Sequence, residues 1–239
     1  RCTQGLSTCG APAPAVTAVA PQVDNPWVHL IPNLGRDLQA FVAPETAGLL
    51  IGGGVAALAL HTNTDERAHA SVLKQPVLEP GVAKFGNIYG NAPQPIGAIA
   101  VWGLGKAVKN TSMEATGAVL IRAQLMNGLL TQGLKLASQR ERPSGGGHSF
   151  PSGHTSSTFA TAAVLQARHG WAVGLPAYAL GGIVAWSRVR SNHHWVSDVV
   201  FGAALGTAAG HAANRSAKKQ WQVVPVKTTG GGAIYFVKR

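Results

Sequence analysis

Long stretches without a charged side chain set the main constraint on how this sequence can fold. Three of them, rich in Ala and Gly, are Gly48–Leu60, His169–Ser187 and Val199–Ala213. A helix that crosses a bilayer needs about 20 consecutive apolar residues, and lipid-facing helices are more often rich in Leu, Ile and Phe. We therefore predict closely packed, buried helices rather than membrane spans, and we leave attachment to a membrane surface open.

The low share of charge also limits the class of protein. Asp, Glu, Lys and Arg make up 12% of the 239 residues, whereas hydrophobic residues make up 46%. Disordered chains have the opposite composition, and coiled coils need many more charged residues, so both classes are excluded. A chain of this length and apolar content can bury a sizeable core as one domain.

Helical periodicity, interrupted by Pro and Gly, predicts an all-α helical bundle with a short C-terminal β-hairpin. The predicted organisation is an extended N-terminal segment over residues 1–33, a helical domain over residues 34–215 and a β-hairpin tail over residues 216–239. The longest predicted helix has Thr111 as its N-cap and Glu114 at its third position. The predicted helices cover residues 37–60 with a break at Pro44, then 64–75, 82–91, 96–109, 111–140, 152–168, 171–186 and 194–213.

Basic residues concentrate in the second half of the chain. Residues 142–239 contain ten Lys or Arg and one acid, Asp198, so this part carries +9 of the total net charge of +11. Such a surplus favours an anionic partner. The bases are scattered among apolar segments, without a zinc-finger or RNP pattern, which argues against nucleic acid. We expect a phosphate-bearing small molecule or lipid, with possible association with a membrane surface, and the sequence does not indicate the oligomeric state.

Both cysteines, Cys2 and Cys9, lie near the start of a chain whose first residue is Arg. A removed secretory signal accounts for that start, so we expect a periplasmic or otherwise exported protein. In an oxidising compartment the two thiols can close a small disulfide loop, and two unpaired thiols in a terminal tail are the alternative.

Three short patterns, in order along the chain, combine residue types that suit phosphoryl chemistry. They are Lys135 with Arg142-Pro143, then Pro151-Ser152-Gly153-His154, then Ser187-Arg188 with His194 and Asp198. Because His194 and Asp198 are four residues apart, they share a helix face, where the carboxylate can orient the imidazole and leave its other nitrogen free as a nucleophile or base. A Gly-containing entry into a helix offers backbone N–H groups to an anion, and three cations converging there can hold a phosphoryl dianion.

These patterns resemble the three-part signature of the type 2 phosphatidic acid phosphatase superfamily, which joins bacterial non-specific acid phosphatases, lipid phosphatases and vanadium haloperoxidases. The resemblance covers residues 135–198, and the spacings within each pattern match. It implies that His194 is a nucleophile forming a phosphohistidine, that Asp198 orients it, and that His154 acts first as an acid and then as a base. It also implies a phosphate site formed by Lys135, Arg142, Ser152, Gly153 and Arg188. Neither a metal nor another cofactor is implied.

The implied activity is a metal-independent acid phosphatase or lipid phosphate phosphatase acting on phosphomonoesters or diphosphates, with lipid-linked and small soluble substrates both open. Two alternatives use the same patterns: a vanadium-dependent haloperoxidase, whose cations would hold vanadate, and a non-catalytic anion-binding or membrane-associated module. His193 is a rival for His194, but only His194 has a carboxylate four residues later. His148, in a loop, is expected to be solvated.

Overall fold

A computed structural model describes residues 25–74, 80–218, 221–228 and 231–238. The predictions about Cys2, Cys9 and most of the N-terminal segment lie outside the described residues. Within them, the chain forms nine helices followed by two strands. The helices are α1 (Leu30–Phe41), α2 (Pro44–Asn63), α3 (Asp65–Lys74), α4 (Pro80–Tyr89), α5 (Pro93–Ala107), α6 (Thr111–Ser138), α7 (Gly153–His169), α8 (Trp171–Arg190) and α9 (Val196–Lys218), and the strands are β1 (Trp221–Thr228) and β2 (Gly231–Lys238).

The all-α helical bundle predicted from the sequence is confirmed for residues 25–74 and 80–218. Pro and Gly set several of its boundaries. The predicted break at Pro44 separates α1 from α2, which are bent by 66° relative to each other, because Pro suits the first turn of a helix but not its interior. Gly170, with φ of +78°, separates α7 from α8 in a conformation that favours glycine.

The two strands form a two-stranded sheet. β1 and β2 pair in an antiparallel register, with Trp221 opposite Lys238 and Thr228 opposite Gly231. They lie in the region for which the sequence predicted β structure.

The start of α6 differs from the prediction. Asn110, not Thr111, is the N-cap, and its side chain accepts a hydrogen bond of 3.0 Å from the Met113 N–H. Asn caps a helix at least as well as Thr, and Asn110 has the extended backbone that a cap requires. Thr111 is therefore the first helical residue, and the predicted capping box with Glu114 is wrong.

Small residues allow α7 and α9 to pack closely at the centre of the bundle. Gly202 and Gly210 lie on one face of α9. A Cβ added at Gly202 would lie 2.8 Å from the carbonyl oxygen of Ser152, and one at Gly210 would lie 2.6 Å from that of Ala160. This close approach holds the start of α7 beside the first turns of α9, and those two regions carry the second and third sequence patterns.

The prediction of buried apolar helices holds for α9 but is wrong for α2 and α8. Leu205 of α9 is buried. In contrast, Val55 and Leu58 of α2 and Trp171 and Leu175 of α8 are all more than 60% exposed. Ala and Gly in α2 and α8 therefore do not mark helices enclosed on every side.

Two elements have the length and composition of membrane spans. Among the described residues, α8 is long and apolar enough by itself to cross a membrane, and only a third of its most apolar stretch is buried. The bent pair of α1 and α2 is also long and apolar enough to cross a membrane when the two helices are counted as one span. Core helices of soluble proteins can have the same length and composition, but those are mostly buried.

Candidate active site

A cavity of about 720 Å³ brings together residues from all three sequence patterns. The residues from the patterns that line it are Lys135, Arg142, Gly153, His154, Arg188 and His194. No Asp or Glu is among its lining residues in the described part of the chain. The cavity therefore has a strongly positive end that also carries two imidazoles.

Three helices and two connecting segments deliver these side chains. Lys135 lies in the last turn of α6, and Arg142 lies in the loop that follows. His154 is the second residue of α7, Arg188 lies in the last turn of α8, and His194 lies in the turn that leads into α9. Helix ends thus converge on one point, although the three patterns are separated along the chain.

The cations of the cavity lack carboxylate partners. In the described chain, no acidic side chain lies within salt-bridge distance of Lys135, Arg142 or Arg188. The Nε atoms of both arginines are buried and have no hydrogen-bond partner. Burial, and then the charge of Arg142, lowers the pKa of Lys135 to about 8. Because buried cations without counterions are costly, the cluster favours the binding of an anion.

The Lys135 ammonium is held by the loop between α6 and α7. It donates a hydrogen bond of 2.6 Å to the carbonyl oxygen of His148 and a longer one of 3.4 Å to that of Ser149. The His148 ring is exposed, as expected, and its Nδ1 lies 3.1 Å from the carbonyl oxygen of Lys135. The contribution of His148 to the site is thus mainly through its backbone.

His194 and Asp198 are buried together. His194 Nδ1 lies 3.5 Å from Asp198 Oδ2, at the outer limit of a hydrogen bond. Burial lowers the pKa of His194 to about 4, although the neighbouring Asp198 opposes that shift. His194 is therefore neutral at neutral pH, which is the form in which an imidazole can act as a nucleophile.

Asp198 stays ionised in spite of its burial. Burial acts to raise its pKa, but the nearby His194 imidazole, a hydrogen bond from Ser149 and the charge of Arg140 outweigh that effect, and the pKa is lowered. The Trp195 N–H donates a further hydrogen bond of 2.9 Å to Oδ2. These contacts fix the orientation of the carboxylate beside His194 Nδ1.

His154 lines the cavity with a ring that has an unused polar atom. Its Nε2 is buried and has no hydrogen-bond partner. Burial, and then the charge of Arg188, lowers the pKa of His154 to about 4. A hydrogen bond with the backbone of Asn87 acts in the opposite direction. The unpartnered nitrogen is therefore available to a ligand in the cavity.

The two small residues before His154 are placed differently. Gly153 lines the cavity, and a Cβ added there would lie 3.9 Å from Cε of Lys135. Ser152 is fully buried and does not line the cavity. Its Oγ accepts a hydrogen bond from Thr155, and its N–H donates one of 3.0 Å to the Asp198 carbonyl oxygen. Ser152 thus ties α7 to α9.

Sequence reasoning missed several residues that contact the site. Asn87 of α4 accepts a hydrogen bond from Arg188, although the two residues are 101 positions apart. Asp65 of α3 and Arg140, just after α6, form an ion pair beside Asp198. Asn87 and Asp65 are far from the three patterns in the sequence, so only tertiary packing brings them to the site. Arg140 lies between Lys135 and Arg142 but is not one of the residues of the first pattern.

The opposite end of the cavity is apolar. Its lining there comes from the segment before α1 and from α1, α5 and α6. These apolar lining residues are Trp27, Leu30, Ile99, Ile121, Leu125 and Leu129. One cavity therefore joins a cationic head site to a hydrophobic wall.

Comparison with known proteins agrees with the sequence patterns. The family model of the PAP2 superfamily matches residues 116–222, so the predicted resemblance to the type 2 phosphatidic acid phosphatases is confirmed. A stretch of 91 residues is 37% identical to lipid A 1-phosphatase of Porphyromonas gingivalis. That stretch covers 36% of this chain and 20% of the relative, so the match spans about a fifth of the length of that protein.

Two solved structures share the fold. A transmembrane PAP2 type phosphatidylglycerolphosphate phosphatase from Bacillus subtilis aligns with a TM-score of 0.58 and 21% identity, over 71% of this chain and 94% of that chain. LpxE from Aquifex aeolicus aligns with a TM-score of 0.52 and 18% identity, over 63% of this chain and 94% of that chain. At these identities the likeness establishes the helical bundle.

Proposed function

We propose that this protein is a metal-independent phosphatase that removes phosphate from lipid phosphomonoesters or diphosphates through a phosphohistidine on His194. The observation that carries the proposal is the single cavity in which Lys135, Arg142, Arg188, His154 and His194 meet without an acidic residue in the lining. A dianionic phosphoryl group supplies the negative charge that this end of the cavity lacks.

In the first step the cations and the Gly153 N–H hold the phosphoryl oxygens. Gly153 is the first residue of α7, where backbone N–H groups have no partner within the helix. The ring nitrogen of His194 that faces away from Asp198 attacks phosphorus, and a P–N bond forms as the bond to the leaving oxygen breaks. The negative charge of the bound phosphoryl group raises the pKa of His154 above the value of about 4 that burial and Arg188 otherwise give it, so the ring is protonated when substrate is bound. His154 then gives its proton to the leaving oxygen, and the alcohol or phosphate departs in protonated form.

In the second step water attacks the phosphohistidine. His154, now neutral, takes a proton from the water as its oxygen bonds to phosphorus. The P–N bond breaks, and its electron pair returns to the His194 ring. Inorganic phosphate leaves, and both imidazoles regain their initial states. Asp198 keeps the His194 ring in one orientation throughout and stabilises the positive charge it carries as a phosphoimidazole.

The apolar wall favours a lipid substrate over a small soluble one. Ile99, Leu125 and Leu129 line the cavity beyond the cations. An acyl or prenyl chain against this wall would gain about 0.8 kcal/mol for each buried methylene group. The relatives are named as phosphatases of lipid A and of phosphatidylglycerolphosphate, which supports the same substrate class.

The exposed surface suits action at a membrane. Residues 46–60, 93–105 and 171–187 contain no Asp, Glu, Lys or Arg, and they lie in α2, α5 and α8. Large side chains on these helices are exposed, among them Ile51, Ile96 and Leu175. Exposed apolar faces of this kind mark membrane or protein contacts.

In this proposal residues 34–215 form the catalytic domain, preceded in the sequence by segment 1–33 and followed by tail 216–239. The cavity serves the periplasmic or otherwise external side.

Trapping the covalent intermediate tests the proposed function. The protein is mixed briefly with a ³²P-labelled lipid phosphate in detergent micelles and quenched in alkali, since phosphohistidine is labile in acid but survives base. We expect acid-labile label on the wild-type protein and none on His194→Gln, which also loses turnover. His193→Gln is the matched control, because it removes the adjacent imidazole, which does not line the cavity. Label and turnover that persist in His194→Gln would contradict the proposal.

A further inference from the structure

Two residues that are not among those of the three patterns, Asp65 and Arg140, form an ion pair beside the Asp198 carboxylate. Arg140 Nη1 donates a hydrogen bond of 2.7 Å to Asp198 Oδ1, and its Nη2 donates one of 2.6 Å to Asp65 Oδ2. Asp65 is 4% exposed and Arg140 is 18% exposed, so solvent screens the pair only weakly. One guanidinium therefore bridges two buried carboxylates, one of which faces His194.

Asp65 also holds the start of α9. Its Oδ1 accepts a hydrogen bond of 3.1 Å from the Ser197 N–H, and its Oδ2 accepts one from the Ser197 hydroxyl. Arg140 Nη1 donates to the same hydroxyl at 2.7 Å. The Arg140 guanidinium also lies 5.6 Å from the centre of the Trp195 ring. The residues on both sides of Val196 are thus fixed by the Asp65–Arg140 pair.

We infer that Asp65 and Arg140 are positioning residues that set the orientation and the effective charge of Asp198, and through it those of His194. This inference rests on the proposed role of His194. Arg140 fixes Oδ1 of Asp198 and leaves Oδ2 directed at His194 Nδ1. Its positive charge alone would weaken the support that Asp198 gives to a cationic His194. Asp65 offsets that charge, so Arg140 can orient the carboxylate without cancelling its effect.

The two members of the pair therefore act on His194 with opposite signs. Asp65→Asn leaves the Arg140 charge unopposed, which disfavours the protonated imidazole and lowers the pKa of His194. Arg140→Gln removes the cation beside Asp198, which favours the protonated imidazole and raises that pKa. The other charged or titratable groups facing His194 are Lys135, Arg188 and His154, and those near Asp65 include His61, whose Nδ1 lies 4.0 Å away at the surface. All of these are unchanged in both variants.

The experiment measures kcat and KM across pH for one phosphate ester, so that the ionisation of the substrate is common to every variant. We expect kcat to fall on the order of 10- to 100-fold in both variants, because a displaced His194 loses its line of attack. KM should stay within about twofold, since neither residue lines the cavity. On the acidic side of the pH profile, kcat/KM falls as His194 becomes protonated. This part of the profile, the acid limb, should move to lower pH in Asp65→Asn and to higher pH in Arg140→Gln.

Glu66→Gln is the matched control, because it removes an exposed carboxylate next to Asp65 in the same helix. It should leave kcat and the acid limb unchanged. Should Asp65→Asn fail to fold, Arg140→Gln, whose limb should still move to higher pH, is compared with Arg140→Lys. Its single ammonium keeps the charge but cannot bridge both carboxylates as a planar guanidinium does, so the limb should stay in place while kcat falls.

The inference would be overturned if folded Asp65→Asn and Arg140→Gln kept the wild-type kcat, or if their acid limbs moved in the same direction. A fall in kcat with no movement of either limb would also overturn it, because it would indicate a structural role alone. Failure of the proposed function has a different signature. In that case His194→Gln keeps its turnover, whatever the Asp65 and Arg140 variants do.

Discussion

Gly206 of α9 packs directly against the backbone of Ser156 in α7, so closely that an added Cβ would overlap the Ser156 carbonyl oxygen. Gly206 lies between Gly202 and Gly210, which make similar contacts one helical turn away on either side. The same interface holds the residues before His154 beside Asp198. Packing between small residues therefore fixes the distance between two sequence patterns.

Replacing Gly206 by Ala is expected to destabilise the protein by about 1–3 kcal/mol, because backbone atoms must move apart to accept the methyl group. The measurement is the midpoint of thermal unfolding under identical solvent conditions. Gly182→Ala in α8 is the control, since nothing lies within 4 Å of its added Cβ and Ala favours a helix more than Gly does. A loss of stability in Gly182→Ala as large as that in Gly206→Ala would contradict the packing argument.

Phosphate affinity should fall as the pH rises through about 8. Lys135 is protonated below the pKa of about 8 that burial gives it, and it is neutral above that value. Inorganic phosphate gains negative charge over this range, which favours its binding to cations, so a fall in affinity reports the protein rather than the ligand. Titration calorimetry should show that phosphate binds up to about tenfold more weakly at pH 9 than at pH 7, because pH 9 is about one unit above the pKa of Lys135.

Lys135→Arg separates this effect from a general effect of alkaline pH. Arg keeps its proton across the whole range, so the pH dependence between pH 7 and pH 9 should be lost even if the absolute affinity changes. A fall in affinity that is equally steep in Lys135→Arg would show that another group is responsible.

The proposed acid role of His154 predicts that His154→Gln will be sensitive to the leaving group. An alkyl alcohol needs a proton in order to leave, whereas p-nitrophenolate does not. Phosphorylation of the variant by an alkyl phosphate should slow by about 10²- to 10⁴-fold. With p-nitrophenyl phosphate the variant should instead release a burst of p-nitrophenol, followed by slow turnover, because the base for the second step is also missing.

Rapid-mixing measurements of the first turnover distinguish these cases. Equal slowing of the first turnover for both substrates would argue that His154 binds the phosphoryl group rather than protonates the leaving oxygen. The unpartnered Nε2 of His154 is the atom expected to carry that proton.

The sequence was sufficient for the bundle and for most of the residues that meet in the cavity. Regular apolar spacing and Pro44 predicted the helices, and the i to i+4 spacing predicted that His194 and Asp198 would be neighbours. Local rules could do this because the residues within each pattern are close together in the sequence.

The sequence did not predict the contacts between distant segments, and it did not predict which helix faces are exposed to solvent. Asp65 approaches Ser197 from 132 positions away, so no local pattern signals their contact. Trp171 and Val55 are exposed because the helices around them cover only one face of α8 and of α2, and composition alone does not indicate which face is covered. Thr111 was wrongly predicted as the cap of α6 because Asn110, an equally good cap, immediately precedes it.

The apolar wall of the cavity predicts a selective loss of lipid substrate on changing Ile99. Ile99 of α5 is 45% exposed and lines the cavity, so Ile99→Gln should fold but should lose contact with the apolar part of a substrate. Full burial of such a side chain is worth about 1.5–3 kcal/mol, and partial contact should raise KM for a long-chain lipid phosphate about tenfold. KM for p-nitrophenyl phosphate should not change, because that substrate reaches only the cationic end. Ile96→Gln is the control, since Ile96 is 62% exposed on the same helix and does not line the cavity. An equal rise in KM for the lipid in both variants would mean that the bilayer or micelle surface, rather than the cavity wall, recognises the apolar chain.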